Sequence, residues 1–276
     1  MGEGVTFVRA NAFYQHRNIV EVICHDKVEK IEQRAFENCP SLRRVIMPGV
    51  KVVEESAFWK CEALTDVECG KLEIVGEWAF GGGCIILKSI NLPSARIVEE
   101  YAFAECGLLN VKYGNKLERF KDCAFCYNHS LERITIPLKD GLIAEDNIFQ
   151  GCDQLNNVHL LESAELHETI TALHLEEWRN DMNDQIDSIN RNLPDANEEE
   201  EDGEKARVIR RWIRSILSKI SHYQEEHQRI LDEVPPALKF ALPRDIVMNN
   251  VLSFLKLPSH TFDEEDEDEE ELDASY

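Results

Sequence analysis

Val53-Glu54-Glu55-Ser56-Ala57-Phe58-Trp59-Lys60-Cys61-Glu62-Ala63-Leu64-Thr65-Asp66-Val67-Glu68-Cys69 is one pass of a unit that fills the first part of the chain. Its Ala-Phe pair returns as Ala-Phe or Ile-Phe with Phe at 13, 36, 58, 80, 103, 125 and 149, in steps of 23, 22, 22, 23, 22 and 24 residues. Other columns keep this phase. Five residues before Phe stand Val8, Ile31, Val53, Val75, Val98 and Phe120, with the small Ala144 closing the series. Six or seven after it stand Ile19, Leu42, Leu64, Leu87, Leu109, Leu131 and Leu155. A short alternation follows each time, as in Val45-x-Met47, Val67-x-Cys69 and Ile134-x-Ile136, and a period of two marks a half-buried strand. Pro48, Pro93 and Pro137 end three of these strands, where a missing amide proton interrupts no ladder.

One such unit cannot bury its own apolar column, but a stack can, because each coil then packs on the same residues of the next. The expected fold is a β-rich solenoid of about seven repeats over residues 5–161, with one parallel strand per coil joined in a single ladder. The Ala beside each Phe is read as the place where a short helical turn approaches the sheet, with Phe plugging the corner. Gly81-Gly82-Gly83 is read as a one-residue insertion in repeat 4, and repeat 5 as one residue short between Leu109 and Val111.

The pattern I-x-x-x-A-F-x-x-C-x-x-L-x-x-I-x-L-P resembles the BspA-type leucine-rich repeats, which are abundant in bacteria and protists. The resemblance spans about residues 5–161 and keeps five columns in phase through seven units. It implies a curved or straight solenoid that binds proteins. No catalytic residue belongs to the motif, so none is carried over.

Charge and cysteine usage bound the remaining classes. The chain of 276 residues has 53 acidic against 30 basic side chains, a formal charge of −23. Asp195–Glu204 holds seven acids and Asp263–Asp273 ten, which leaves −6 elsewhere. With no clustered basic field, nucleic-acid binding is disfavoured. Of nine cysteines, Cys39, Cys61, Cys84, Cys106 and Cys152 follow Phe in phase, and Cys24 and Cys69 lie in a strand column. They are read as small core hydrophobes. Cys123 and Cys126 form a C-x-x-C without the second ligand pair or thioredoxin-like context that zinc or redox chemistry needs. The histidines form no H-x-x-x-H pair, Gly81–Gly83 lacks the Lys-Ser/Thr of a phosphate loop, and no nucleophile elbow occurs. The expectation is a protein that is no enzyme, with no cofactor and no metal. Without an apolar leader, a run of about 18 apolar residues or an even cysteine count, an intracellular, cytoplasmic protein with reduced thiols and no membrane partner is expected.

A protein partner would meet the outward strand residues Arg44, Asp66, Glu68, Asn91, Lys112, Arg133, Thr135 and His159, or the pair Trp78 and Tyr101 two residues before Phe. The period then changes. Leu175, Trp178, Met182, Ile186, Ile189 and Leu193 lie on one helical face, and Ile209, Ile213, Ile216, Ile220, Tyr223, His227 and Ile230 form a heptad seam. Residues 162–233 are thus read as an antiparallel helical hairpin with an acidic linker at 194–204, its Lys205, Arg207, Arg210, Arg211, Arg214 and Lys219 facing Asp181, Asp184 and Asp187. The hairpin either caps the last repeat, leaving a monomer, or forms a weak dimer through 206–231. Residues 234–258 read as a short helical segment and 259–276 as a disordered acidic tail. Leu242–Leu255 resembles the first half of an F-box, which implies a substrate adaptor for ubiquitin ligation as the alternative function. Self-association through the heptad helix is the third.

Overall fold

The computed structural model describes residues 4–161 and 204–233. Residues Met1–Tyr223 form one compact unit and Gln224–Tyr276 a second, of which only the helical residues up to Glu233 are described. Each of the first six coils carries two short strands and a turn, and coil 7 carries one strand and a single bridge at Ile143. The strand expected after the Leu column is present seven times: β2 (Glu21–Ile23), β4 (Arg44–Ile46), β6 (Asp66–Glu68), β8 (Ser89–Leu92), β10 (Asn110–Tyr113), β12 (Arg133–Pro137) and β13 (Asn157–Leu161). All pairings among them are parallel, with Val22, Val45 and Val67 in register in one sheet and Ile90, Val111, Ile134 and Val158 in the other. The single ladder is instead split into β2-β4-β6 and β8-β10-β12-β13. The break falls in the coil that carries the inserted glycine.

A second sheet accompanies it. The column five before Phe is itself β1 (Phe7–Val8), β3 (Lys30–Ile31), β5 (Val52–Val53), β7 (Ile74–Val75), β9 (Ile97–Val98) and β11 (Arg119–Phe120), a six-stranded parallel sheet of two-residue strands. At about 4.8 Å per strand, seven coils extend on the order of 30 Å. Between the sheets the Phe rings form a file. Phe13, Phe36, Phe58, Phe80, Phe103 and Phe125 lie nearly parallel with centroids 5.0–5.5 Å apart, and Phe149 closes the file at 5.8 Å. Phe36 to Phe125 are fully buried, as are the Leu, Val and Cys columns beside them.

Three sequence readings are corrected. In coil 7 the column before Phe is filled by Ile143, which is buried and bridges to Phe120, while Ala144 faces out. In coil 5 Leu108 is buried, and Leu109 only partly so. The missing residue therefore lies between Cys106 and Leu108, where Gly107 runs so close to coil 4 that a Cβ would stand 1.7 Å from the Ile85 carbonyl. Coil 7 carries the expected short helical turn, a 3-10 turn at Asn147–Phe149, but in coils 1 to 6 the turn around Phe is not helical. Residues two before and two after Phe adopt φ of 50–60°, as at Arg34, Asn38, Ser56, Lys60, Trp78 and Tyr101. Such a conformation costs an L residue ~1–2 kcal/mol. What offsets it is that these amides, and that of Phe between them, point at the next coil: Arg34 N donates to Glu55 O at 2.9 Å, Phe36 N to Ala57 O at 2.8 Å and Asn38 N to Trp59 O at 2.7 Å. The same triplet recurs at coils 1 to 5, and coil 6 keeps its last two bonds, from Phe125 N and Tyr127 N. Ala fits beside Phe because it is enclosed between these stacked turns.

The helix α1 (Glu204–Glu233) begins against coil 7. Ala206, Ile209, Trp212, Ile213, Ile216 and Ile220 are buried and join the same core as the Phe file. The basic residues at its start meet this coil. Lys205 Nζ donates to the carbonyls of Cys152, Asp153 and Leu155 at 2.9, 3.0 and 3.3 Å. Arg210 donates to the Ile143 and Ala144 carbonyls, and together with Arg207 it holds Asp146. Arg214 lies 3.5 Å from Asp140. The described partners of Arg207, Arg210 and Arg214 are thus in the last coil, whereas Asp181, Asp184 and Asp187, with the whole first arm of the expected hairpin, lie outside the described residues. The segment 234–258 with its F-box-like stretch, the linker at 194–203 and the tail at 259–276 lie outside them too.

Candidate functional site

Alternation along the strands decides which side chains leave the core. Of each strand triplet the middle residue is buried, so its two neighbours project outward. Arg44, Asp66, Glu68, Asn91, Lys112, Arg133 and His159 are all exposed, as the sequence requires. Thr135 is the exception, being buried inside β12, whose last four residues are all buried.

The structure brings three of these residues together. Arg44 Nε donates to Asp66 at 3.0 Å and its Nη2 to Glu68, while Nη1 stands 3.6 Å from Glu21 of the preceding coil. Four charges from three coils form one cluster of net charge −2. All are about half exposed, so each pair contributes only ~0–1 kcal/mol, and the cluster's effect is to define a charge pattern more than to hold coils together. Farther along, Asn91, Lys112 and His159 project from β8, β10 and β13 without joining that cluster, the buried Thr135 standing between the last two.

Trp78 and Tyr101 belong to a different side, the corner formed by the left-handed turns. Their rings stack with centroids 4.6 Å apart and planes 7° from parallel. They cover a small cluster of Ala104, Cys123 and Cys126, so their packing role is real, yet both stay partly exposed. Sequence reasoning missed their neighbours. Trp59 lies on Gly82, where a Cβ would stand 2.2 Å from the indole Nε1, and Trp78 lies on Gly81, where one would stand 2.8 Å from Cε3. The glycine pair is therefore more than an insertion: it is the floor under two indoles, and Gly82 has φ of +62°. The signal was present in the repeat phase, since Glu55, Glu77, Glu100 and Asp122 fill one column beside Trp78 and Tyr101.

The cysteines are spent on structure. All nine are free and buried. Those three after Phe also donate across coils: Cys39, Cys61, Cys106 and Cys152 Sγ lie 3.1–3.2 Å from the Phe carbonyl of the preceding coil, and Cys84 lies 3.6 Å away. In coil 6 Asn128 takes the position, and its amide donates to the Phe103 and Phe125 carbonyls at 2.6 and 2.8 Å. The column thus calls for a small donor, not merely a small hydrophobe. Burial pushes the Cys69 and Cys152 thiols up to about 12, and burial followed by the adjacent Cys123 raises Cys126. Thiols held this way are poor nucleophiles. Among the described residues no group of three or more His, Cys, Asp or Glu is placed to hold a metal ion, and no helix is long and apolar enough to cross a membrane.

A family-level comparison agrees with this architecture. The profile of the "BspA type Leucine rich repeat region" matches residues 1–98 and 75–172, in six copies. Among solved structures, the chain is similar to a leucine-rich repeat protein from Bacteroides ovatus, with 21% identity, a TM-score of 0.22, and coverage of 57% of this chain and 64% of that one. It is also similar to a leucine-rich cell surface protein from Faecalibacterium prausnitzii, with 17% identity, a TM-score of 0.21, and coverage of 59% and 79%. The chain thus spans less than two thirds of the length of the first of these. No curated protein matches it.

Proposed function

Because the chain belongs to the BspA-type leucine-rich repeat family, we propose that it is a non-catalytic interaction module that binds a protein partner through outward side chains of its solenoid. The observation that carries this reading is the set of exposed polar residues on successive strands, with Arg44 in register with Asp66 in one sheet, and Asn91 with Lys112 and Asn110 with Arg133 in the other. A rigid parallel stack presents such residues with spacing set by the backbone, which lowers the ordering cost of binding. The buried apolar columns and the thiols are consumed by coil-to-coil packing, and what the strands offer outward is mostly polar, Ile23 being an exposed apolar exception, and varies from coil to coil. That is the pattern of a recognition surface and not of a repeated structural motif.

The experiment is affinity capture with the full-length chain against the variant Arg44→Glu/Lys112→Glu. Loss of a specific protein from the variant, with the urea midpoint unchanged, supports the reading. Capture that persists in this variant and in corner variants, and disappears only when the acids of Asp263–Asp273 are neutralised, overturns it.

A further inference from the structure

The left-handed corner of coils three to five combines two features that the packing does not require together. The first is aromatic: Trp59 on Gly82, Trp78 on Gly81, and Tyr101 stacked on Trp78. The second is anionic. Glu77 and Glu100 immediately precede Trp78 and Tyr101 and are exposed, and Glu99 is next to Glu100. Burial first, and then the fields of Glu100, Glu55 and Glu99, hold the Glu77 carboxyl above its ordinary range. From the preceding coil Arg34 reaches Glu55 at 3.5 Å. Among the described residues, no cation lies within ion-pair distance of Glu77, Glu99 or Glu100. One ring in the patch already hosts a cation: Lys60 Nζ sits 4.0 Å above the Trp59 ring.

Carboxylates without counterions beside electron-rich rings form a surface complementary to ammonium or guanidinium groups. Trp78 and Tyr101 each give one face to the other, so the pair does not offer the two open faces that would sandwich a sugar. We infer that this corner docks a lysine- or arginine-rich segment of a protein partner, with its cations paired to Glu77, Glu99 and Glu100 and its aliphatic stems against the exposed parts of Trp78 and Tyr101. This rests on the interaction-module reading above and gives one of its partners a chemistry.

The test uses the full-length chain with the acids of Asp263–Asp273 replaced by Asn and Gln, so that the tail contributes no field. A decapeptide of alternating lysine and glycine is titrated by calorimetry and tryptophan emission, with a glutamate-glycine decapeptide and a glucose hexasaccharide as controls. In Glu77→Gln/Glu100→Gln the lysine peptide should bind at least about tenfold more weakly, while the charge-matched Asp66→Asn/Glu68→Gln on the strand face changes binding less than about twofold. Equal weakening by both pairs, no weakening by either, or binding of the hexasaccharide in place of the peptide overturns the inference. If the peptide fails while Arg44→Glu/Lys112→Glu still abolishes capture of a protein, the corner assignment falls and the interaction reading stands. If neither surface binds, both fall.

Discussion

Replacing Ile216 by Ala separates the two roles open to the heptad helix. Ile216 is 1% exposed and packs in the same core as the coils. Truncation removes three carbons, about 2.4 kcal/mol of transfer free energy at ~0.8 kcal/mol each. The residual cavity adds to this, because the coil 7 backbone facing it is fixed by the ladder to coil 6, so the total should fall between about 2.5 and 5 kcal/mol. Arg211→Ala, at an exposed position on the same helix, should cost less than about 0.5 kcal/mol. Urea unfolding of the full-length chain followed by circular dichroism reads both values, and light scattering reads the mass in solution. The expected result is a large drop in midpoint for Ile216→Ala alone, with the same monomeric mass for all three proteins. An unchanged midpoint combined with a dimeric wild type that dissociates in the variant would refute the cap and restore the seam as a dimer contact.

Gly107→Ala should destabilise the solenoid by about 2–3 kcal/mol through overpacking against the Ile85 carbonyl, seen as a lowered thermal midpoint. Asn128→Ala leaves the Phe103 carbonyl without its side-chain donor at a cost of about 1–3 kcal/mol, whereas Asn128→Cys restores the thiol used by other coils and should recover most of that loss in a denaturation series. Asp146 is the pH-sensitive anchor of the helix: burial works to raise its carboxyl, but the hydrogen bonds from Arg210 and Arg207 outweigh it and hold it below the ordinary 3.8. A depressed folded-state value means stability that is present above pH ~4 and lost as pH falls through that range and lower. Asp146→Asn should therefore lower stability at pH 7 and flatten the decline below pH 4, and parallel acid limbs in the two proteins would count against the anchor.

The repeat was legible because Phe, Leu and Val have to meet their own kind in the next coil, so a periodic structure leaves a periodic sequence. Coil number, parallel direction and outward strand residues followed from that. What failed were inferences of constant offset: Leu109 and Ala144 were assigned by counting from Phe, yet Leu108 and Ile143 fill the core, the first because coil 5 is one residue short where Gly107 permits a close approach to coil 4. The second sheet had no signal of its own, since strands of two residues are too short to alternate. The left-handed turns were invisible because Arg34, Ser56, Lys60 and Trp78 are not residues that advertise positive φ, and the cause is hydrogen bonding to a neighbouring coil. For the candidate surfaces, exposure on the strands was readable from alternation, but the clustering of Arg44 with Glu21, Asp66 and Glu68 depended on register between coils. The floor beneath Trp59 and Trp78 depended on which glycine faces which ring.

The turn around each Phe has a directional consequence. In coils 1 to 5 its amides at three alternate positions all aim toward the following coil, and the carbonyls that receive them all aim back. Peptide dipoles along this edge therefore add instead of cancelling, much as they do along a helix axis. Such an edge has a donor end and an acceptor end, so any further turn of the same kind can be added in one sense only, front to back.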